Sequence, residues 1–301
     1  MFWSRIAIRR RGVFPIMRKL DHPPFTVRDV LNQAVRQAHQ PRRAKLQNPG
    51  LEGALAGAEA IYALCMTSSA ASSIPKSSDI AGVLNESEAK YVYDSLRRLK
   101  YGGMTMADAI FRLARFGKCA YCGHGTPIQL DHYLPRSSYV EYSFCPLNLV
   151  PACANCNSTA LKGACPPTGP QDTFFHPYYD NPDDGRWLFV SMVVGSDGLE
   201  VKVDVRRPAG WPIDKFQRVE YTFQKLQLSK VYAQDVISEI SARREILGDI
   251  FKSGAAAGLQ SFFAEQGAQY AKGNPNAWIR VAYEYLSSAR AICSAFPDWL
   301  K

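Results

Sequence analysis

The chain has 301 residues, 47% apolar and 21% charged, a globular make-up long enough for two domains and a real core. Its formal charge of +9 is uneven. Arg5, Arg9, Arg10, Arg11, Arg18 and Lys19 fall in the first 20 residues with no acid among them, so the basic balance is a tail rather than a broad nucleic-acid groove. No run reaches the roughly 18 uninterrupted apolar residues of a membrane span. No clean secretory signal is present, so a cytoplasmic protein without membrane contact is expected.

Residues 1–16 read as a basic N-terminal extension. It either touches DNA phosphates or is a translated upstream stretch, since Met17 opens a second start. A helical region is expected over 17–117. Thr26 with Asp29 caps an amphipathic helix to His39, whose apolar face is Val27, Val30, Leu31, Ala34, Val35 and Ala38. Pro41–Gly50 reads as a basic connection, Leu51–Met66 as an Ala-rich helix, and Thr67–Ser78 as a Ser-rich loop. Asn85 and Glu88 form a capping box before a helix with the face Ala89, Val92, Leu96 and Leu99. Thr105 with Asp108 opens one more helix, which Gly117 stops just before Cys119. Arg112, Arg115 and Lys118 cluster at its end, as a solvated face or as charge beside a site.

The chemistry lies between Cys119 and Lys162. Two Cys-x-x-Cys pairs, Cys119/Cys122 and Cys153/Cys156, stand with 30 residues between them. A two-residue gap lets a tight turn aim both sulfurs at one ion, and two such pairs supply the tetrahedral set of a structural zinc. Two disulfides would need an oxidising compartment, and a redox pair would need only one such motif. Zinc is therefore expected. His124 is a spare ligand that four cysteines make unnecessary. Between the knuckles a short strand over 127–132 ends in Asp131-His132, and a short helix over 155–162 carries Asn157. The carboxylate is a hard ligand suited to magnesium, and the imidazole can deprotonate water. Cys65, Cys145, Cys165 and Cys293 have no partner spacing and read as buried thiols.

Downstream, Arg186–Val194 and Leu199–Val205 flank Gly195-Ser196-Asp197-Gly198 as a β-hairpin. Helices are expected near 214–226, 229–252, 259–271 and 276–294. The aromatics Trp278, Tyr283 and Tyr285 read as core or a partner surface, with core the default.

The run Cys-Ala-Tyr-Cys-Gly…Leu-Asp-His-Tyr-Leu-Pro-Arg-Ser…Asn-Leu-Val-Pro-Ala-Cys-Ala-Asn-Cys-Asn resembles the HNH endonucleases, of the ββα-metal fold with a four-cysteine zinc. The likeness spans residues 118–163. Phe-Phe-His-Pro-Tyr-Tyr-Asp at 174–180 resembles an extension of some bacterial members, with His176 and Asp180 read as structural. The resemblance implies His132 as general base, Asp131 and Asn157 as ligands of a catalytic magnesium or other divalent ion, and Asn148 as a brace of the loop. It implies cleavage of DNA, with RNA left open, to a 5′-phosphate and a 3′-hydroxyl. It further implies a bacterial defence, mobile-element or restriction setting, and with no P-loop in the chain any ATP dependence would come from a separate ATPase. The family often places a lysine three residues after its last Asn or His. Here that position is Ala160 and the lysine is Lys162, so no catalytic role is assigned to it. The expected fold class is α+β, mostly helical: a nuclease domain over 118–210 with its zinc site and added hairpin, between the helical regions 17–117 and 211–301. The other reading is a catalytically silent zinc module that binds nucleic acid or a protein.

Overall fold

A computed structural model describes residues 17–270 and 273–299, apart from the side chain of Arg115. The basic extension over 1–16 lies outside the described residues. The architecture is α+β, with ten α-helices and four two-stranded antiparallel sheets among the described residues. The chain divides into two compact units.

The described part of one unit comprises 17–184 and 207–228. Its first helix, α1 (Val27–Gln37), starts as the sequence requires. Thr26 Oγ1 accepts from Asp29 N–H at 3.3 Å, and Asp29 in turn accepts from Thr26 N–H at 2.8 Å. Val27, Val30, Leu31 and Ala34 are buried. The connection expected at 41–50 contains a short helix, α2 (Arg42–Leu46), and Asn48 then caps α3 (Pro49–Thr67). Asp79–Ile80 (β1) pairs with Leu84–Asn85 (β2), and the Asn85/Glu88 capping box starts α4 (Glu86–Ser95). All four residues of its expected face, Ala89, Val92, Leu96 and Leu99, are buried. Lys100–Tyr101 (β3) and Met104–Thr105 (β4) precede α5 (Met106–Phe111). That helix is shorter than its apolar pattern suggests. Phe116 (φ 59°) and Gly117 (φ 64°) turn left-handed and steer the chain into Cys119.

Next come Gln129–His132 (β5) and Leu149–Ala152 (β6), in register Gln129–Ala152, Leu130–Pro151, Asp131–Val150 and His132–Leu149. The helix expected over 155–162 does not form; this stretch is a series of turns. Gly163 at φ 69° follows directly, and the stretch is committed to sulfur and side-chain contacts rather than to a helical ladder. The unit closes with α6 (Ile213–Lys225). Asp180 accepts from His176 N–H and pairs with Arg218 of that helix, while Thr222 Oγ1 accepts from Phe175 N–H at 2.7 Å. The 174–180 motif therefore docks a helix.

The other unit comprises 185–206 and the described residues from 229 to 299. Leu188–Gly195 (β7) and Gly198–Val205 (β8) form the expected hairpin. It groups with the C-terminal helices, not with the cysteine-bearing segment as the sequence division had it. The reason lies in its contacts: Asn276 Oδ1 accepts from Trp187 and Leu188 N–H, and Tyr285 O–H reaches Met192 O. Gly198 lies so close to the Trp299 carbonyl that a Cβ would meet it at 2.9 Å. The helices are α7 (Leu228–Ala242), α8 (Arg244–Ala268), α9 (Trp278–Ser288) and α10 (Arg290–Ser294). Ala255, inside the Gly/Ala run, breaks α8 at φ 48°. Tyr283 is buried against Phe263, with ring centroids 5.5 Å apart. No helix among the described residues is long and apolar enough to cross a membrane.

Candidate functional site

The β5–β6 ladder carries a different site at each end. At the Gln129–Ala152 end the two knuckles close on each other. The sulfurs of Cys119, Cys122, Cys153 and Cys156 lie within 4.8 Å of one another, and all four residues are buried. A tetrahedron with metal–sulfur arms of about 2.3 Å has edges of roughly 3.8 Å, and Cys122 Sγ lies 3.9 Å from Cys153 Sγ. Backbone N–H groups support the sulfurs: His124 and Gly125 donate to Cys122 Sγ, and Cys156 donates to Cys153 Sγ. A Cβ on Gly125 would sit 2.7 Å from Cys153 Cβ, so only glycine lets the knuckles approach this closely. Sharing hydrogen bonds, the sulfurs pull Cys153 and Cys122 down and push Cys156 and Cys119 up. They titrate as a unit, and a dication would hold all four as thiolates. Geometry and donor set both fit zinc. His124 is exposed and is no part of the sulfur cluster. Of the remaining cysteines, Cys145 and Cys293 are buried as expected, but Cys165 is exposed and Cys65 half-buried.

At the His132–Leu149 end lies a polar cleft of about 470 Å³, lined in part by Asp131, His132, Arg136 and Asn157. His132 Nε2–H donates to the Ser143 carbonyl at 2.8 Å, which leaves Nδ1 as the acceptor nitrogen. Burial pushes this imidazole down to about 4, against the Ser143 contact and the Asp131 charge, so the ring is neutral at pH 7. Tyr93 packs on it with ring centroids 4.5 Å apart.

Asp131 is buried and engaged on both oxygens. Oδ2 accepts from Tyr121 O–H at 2.7 Å, and Oδ1 accepts from Lys162 Nζ at 2.8 Å. Lys162 also donates to the carbonyls of His132 (2.6 Å) and Tyr133 (3.3 Å). Asn157 donates from Nδ2 to Gln129 Oε1 at 2.8 Å, and its Oδ1 has no protein partner among the described residues.

Asn148 lies outside the cleft lining and is wholly buried beneath it. Its Oδ1 accepts from Leu134 N–H at 2.7 Å, and its Nδ2 donates to the Leu134 and Tyr142 carbonyls at 3.1 Å each. The side chain thus ties the two arms of the loop between β5 and β6. Tyr62 O–H donates to Asn148 Oδ1 at 3.2 Å and accepts from His176 Nε2–H at 2.9 Å. That tautomer follows because His176 Nδ1 already accepts from Tyr178 N–H.

The cleft therefore brings together His132, Asp131 and Asn157, with Asn148 as a support. Sequence reasoning missed the Lys162–Asp131 pair and the tyrosines. One signal for the first was present: Lys162 is the only Lys or Arg between Arg136 and Arg186. Nothing comparable marked Tyr62, which lies 86 residues before Asn148.

The fold and the sulfur cluster define an α+β protein built on a four-cysteine knuckle that fits zinc. No protein-family model matches the chain, and no solved structure matches it. It is similar to Protein ea31 of Escherichia phage lambda, with 29% identity over 185 residues. That stretch is 57% of this chain and 62% of the relative, so the chain spans less than two thirds of the curated protein it matches.

Proposed function

We propose that this protein is a metal-dependent endonuclease of the HNH kind that hydrolyses DNA phosphodiester bonds. The observation that carries the reading is the state of His132. It is neutral, fixed through Nε2 and open at Nδ1, and it shares one cleft with Asp131 and Asn157. Nδ1 takes a proton from water. The water oxygen forms a bond to phosphorus, the bond from phosphorus to the 3′ oxygen breaks, and solvent protonates the leaving oxygen. The products are a 5′-phosphate and a 3′-hydroxyl.

Asp131 and Asn157 would hold a magnesium ion. Magnesium is commonly held by one or two carboxylates, with waters and substrate phosphates completing the shell. One carboxylate and one amide oxygen meet that minimum, because each Asp131 oxygen keeps a second lone pair. When bound, the ion supplies positive charge at the phosphate and the leaving oxygen. Asn148 keeps the loop shape that places His132, and the zinc knuckle fixes the far end of the ladder.

Plasmid nicking with magnesium or manganese tests this. The wild type should nick, and His132→Ala with unchanged zinc content should lose about 10²–10⁴-fold in rate. A wild type that never nicks with any divalent ion sinks the reading. The second reading, a zinc module that binds nucleic acid or protein without cutting, is favoured by one observation: the Lys162 ammonium already neutralises Asp131. Binding without cleavage would be its signature.

A further inference from the structure

We propose that Arg136 grips the phosphodiester of bound DNA beside His132, making the cleft an anion site independently of any metal. The inference rests on the reading of this cleft as a phosphodiester site. Arg136 lies four residues after His132, on a turn in which Ser138 and Tyr139 N–H both donate to the Pro135 carbonyl, at 3.0 and 3.1 Å. Two residues before it, Leu134 is clamped at both its N–H and its carbonyl by buried Asn148. The backbone beneath Arg136 is therefore fixed before anything binds.

The side chain lines the same cleft as Asp131, His132 and Asn157. One guanidinium nitrogen, Nη1, is shut off from water and has no hydrogen-bond partner among the described residues. A dehydrated, charged donor without an acceptor is a cost the fold bears for a reason outside its own packing. The acids of the cleft do not satisfy it. Asp131 is held by Tyr121 and Lys162, and Glu86 is exposed. The lysine of the lining, Lys90, is paired with Asp94. Arg136 as a whole is half-buried, so a ligand that enters the cleft and shifts the side chain can supply the acceptor. A phosphodiester presents two non-bridging oxygens to the planar fork of a guanidinium, and a volume of about 470 Å³ leaves room for the sugar on either side.

The experiment measures binding of a short fluorescein-labelled DNA duplex by anisotropy, in the His132→Ala background so that cutting does not interfere. Arg136→Met should weaken binding by at least about tenfold and lower the slope of log K against log salt by about one. Arg136→Gln serves where the methionine variant does not fold. Arg136→Lys should keep the salt slope while losing part of the affinity, because it keeps the charge but not the fork. Lys225→Ala, an equal loss of charge on an exposed part of α6, should change binding less than twofold. Equal affinity and slope for Arg136→Met and its parent would overturn the inference, as would binding of a matched RNA duplex and not of DNA. The two readings fail separately. If DNA binding depends on Arg136 but the wild type never cuts, this inference stands and the nuclease reading falls. If the wild type cuts and Arg136→Met cuts with unchanged KM and kcat, the nuclease reading stands and this one falls.

Discussion

The two ends of the β5–β6 ladder are built on opposite electrostatic plans. At one end four buried sulfurs lie within 4.8 Å of one another, in a geometry that an added ion would complete. At the other end the buried carboxylate of Asp131 is already matched by an ammonium, a phenol and a well-formed hydrogen-bond network. The first end thus has the make-up of a metal-held staple. The second holds its shape without a metal, and any ion that joins it does so for chemistry. One short ladder separates what the fold requires from what the reaction would require.

The comparison breaks most visibly if the staple is removed. Zinc in a structural site contributes about 10–16 kcal/mol, apparent, to the unit it organises, comparable to the whole stability of a typical domain. Chelation, or Cys119→Ser, should therefore abolish the cooperative thermal transition of the cysteine-bearing unit. His132→Ala, at the other end, should move the midpoint far less. Elemental analysis of protein purified without chelator should find one zinc per chain and magnesium only when it is added. Equal midpoints for the two variants, or no zinc, would show that the sulfurs are ordinary core thiols.

The same contrast governs what the sequence revealed. The cysteine cluster was fully legible, because the two-residue gap is a local rule and four soft donors have one common purpose. The caps of α1 and α4 were equally legible, since Thr26/Asp29 and Asn85/Glu88 act within one turn. The pairing of Asp131 and His132 with Asn157 came from the family resemblance; only the first two lie on the ladder, and the cleft lining includes all three. What was not legible is tertiary. Periodicity does not say that Lys162 reaches back 31 residues to Asp131, or that Tyr62 of α3 reaches Asn148. The helix expected over 155–162 fails for a related reason. A local pattern was read where knuckle turns and a buried lysine set the backbone. The hairpin was recognised as a hairpin, but alternation within a strand does not name the helices it packs on.

A smaller effect sharpens the second end. Lys162 and Asp131 are a buried pair, with side-chain exposures of 7% and 4%. Removing one partner of such a pair leaves an uncompensated charge and costs about 3–5 kcal/mol. Lys162→Met should therefore be strongly destabilised, and Asp131→Asn combined with it should recover part of the loss, because the double variant buries no charge. Denaturant unfolding of the four proteins measures the coupling. The cycle also probes the cleft as a cation site: magnesium or manganese should raise the midpoint of Lys162→Met but not that of the double variant. Additive losses with no metal effect would mean that the pair is incidental.

The smallest effect concerns His176, which belongs neither to the sulfur cluster nor to the cleft lining. Burial, aided by the charges of His22, Lys162 and Arg218, holds its imidazole well below the usual histidine range. Its Nδ1 accepts from Tyr178 N–H and its Nε2–H donates to Tyr62, so the folded state takes up the neutral ring alone. The unfolded chain binds a proton at this residue below about pH 6.5, while the folded one does not. Stability from this group is therefore full above about pH 6.5 and is lost as the pH falls, by up to about 1.4 kcal/mol per pH unit. His176→Gln keeps a donor for Tyr62 and cannot titrate. Its stability should be lower than that of the wild type at pH 7.5, because the Tyr178 contact is weakened, and should decline less steeply towards pH 5. Zinc content must be checked at each pH, since thiolate protonation would add a slope common to both proteins. The difference between the two slopes isolates the imidazole. Parallel curves would mean that the imidazole titrates alike in the folded and unfolded chain, and that His176 Nδ1 does not hold the Tyr178 N–H contact.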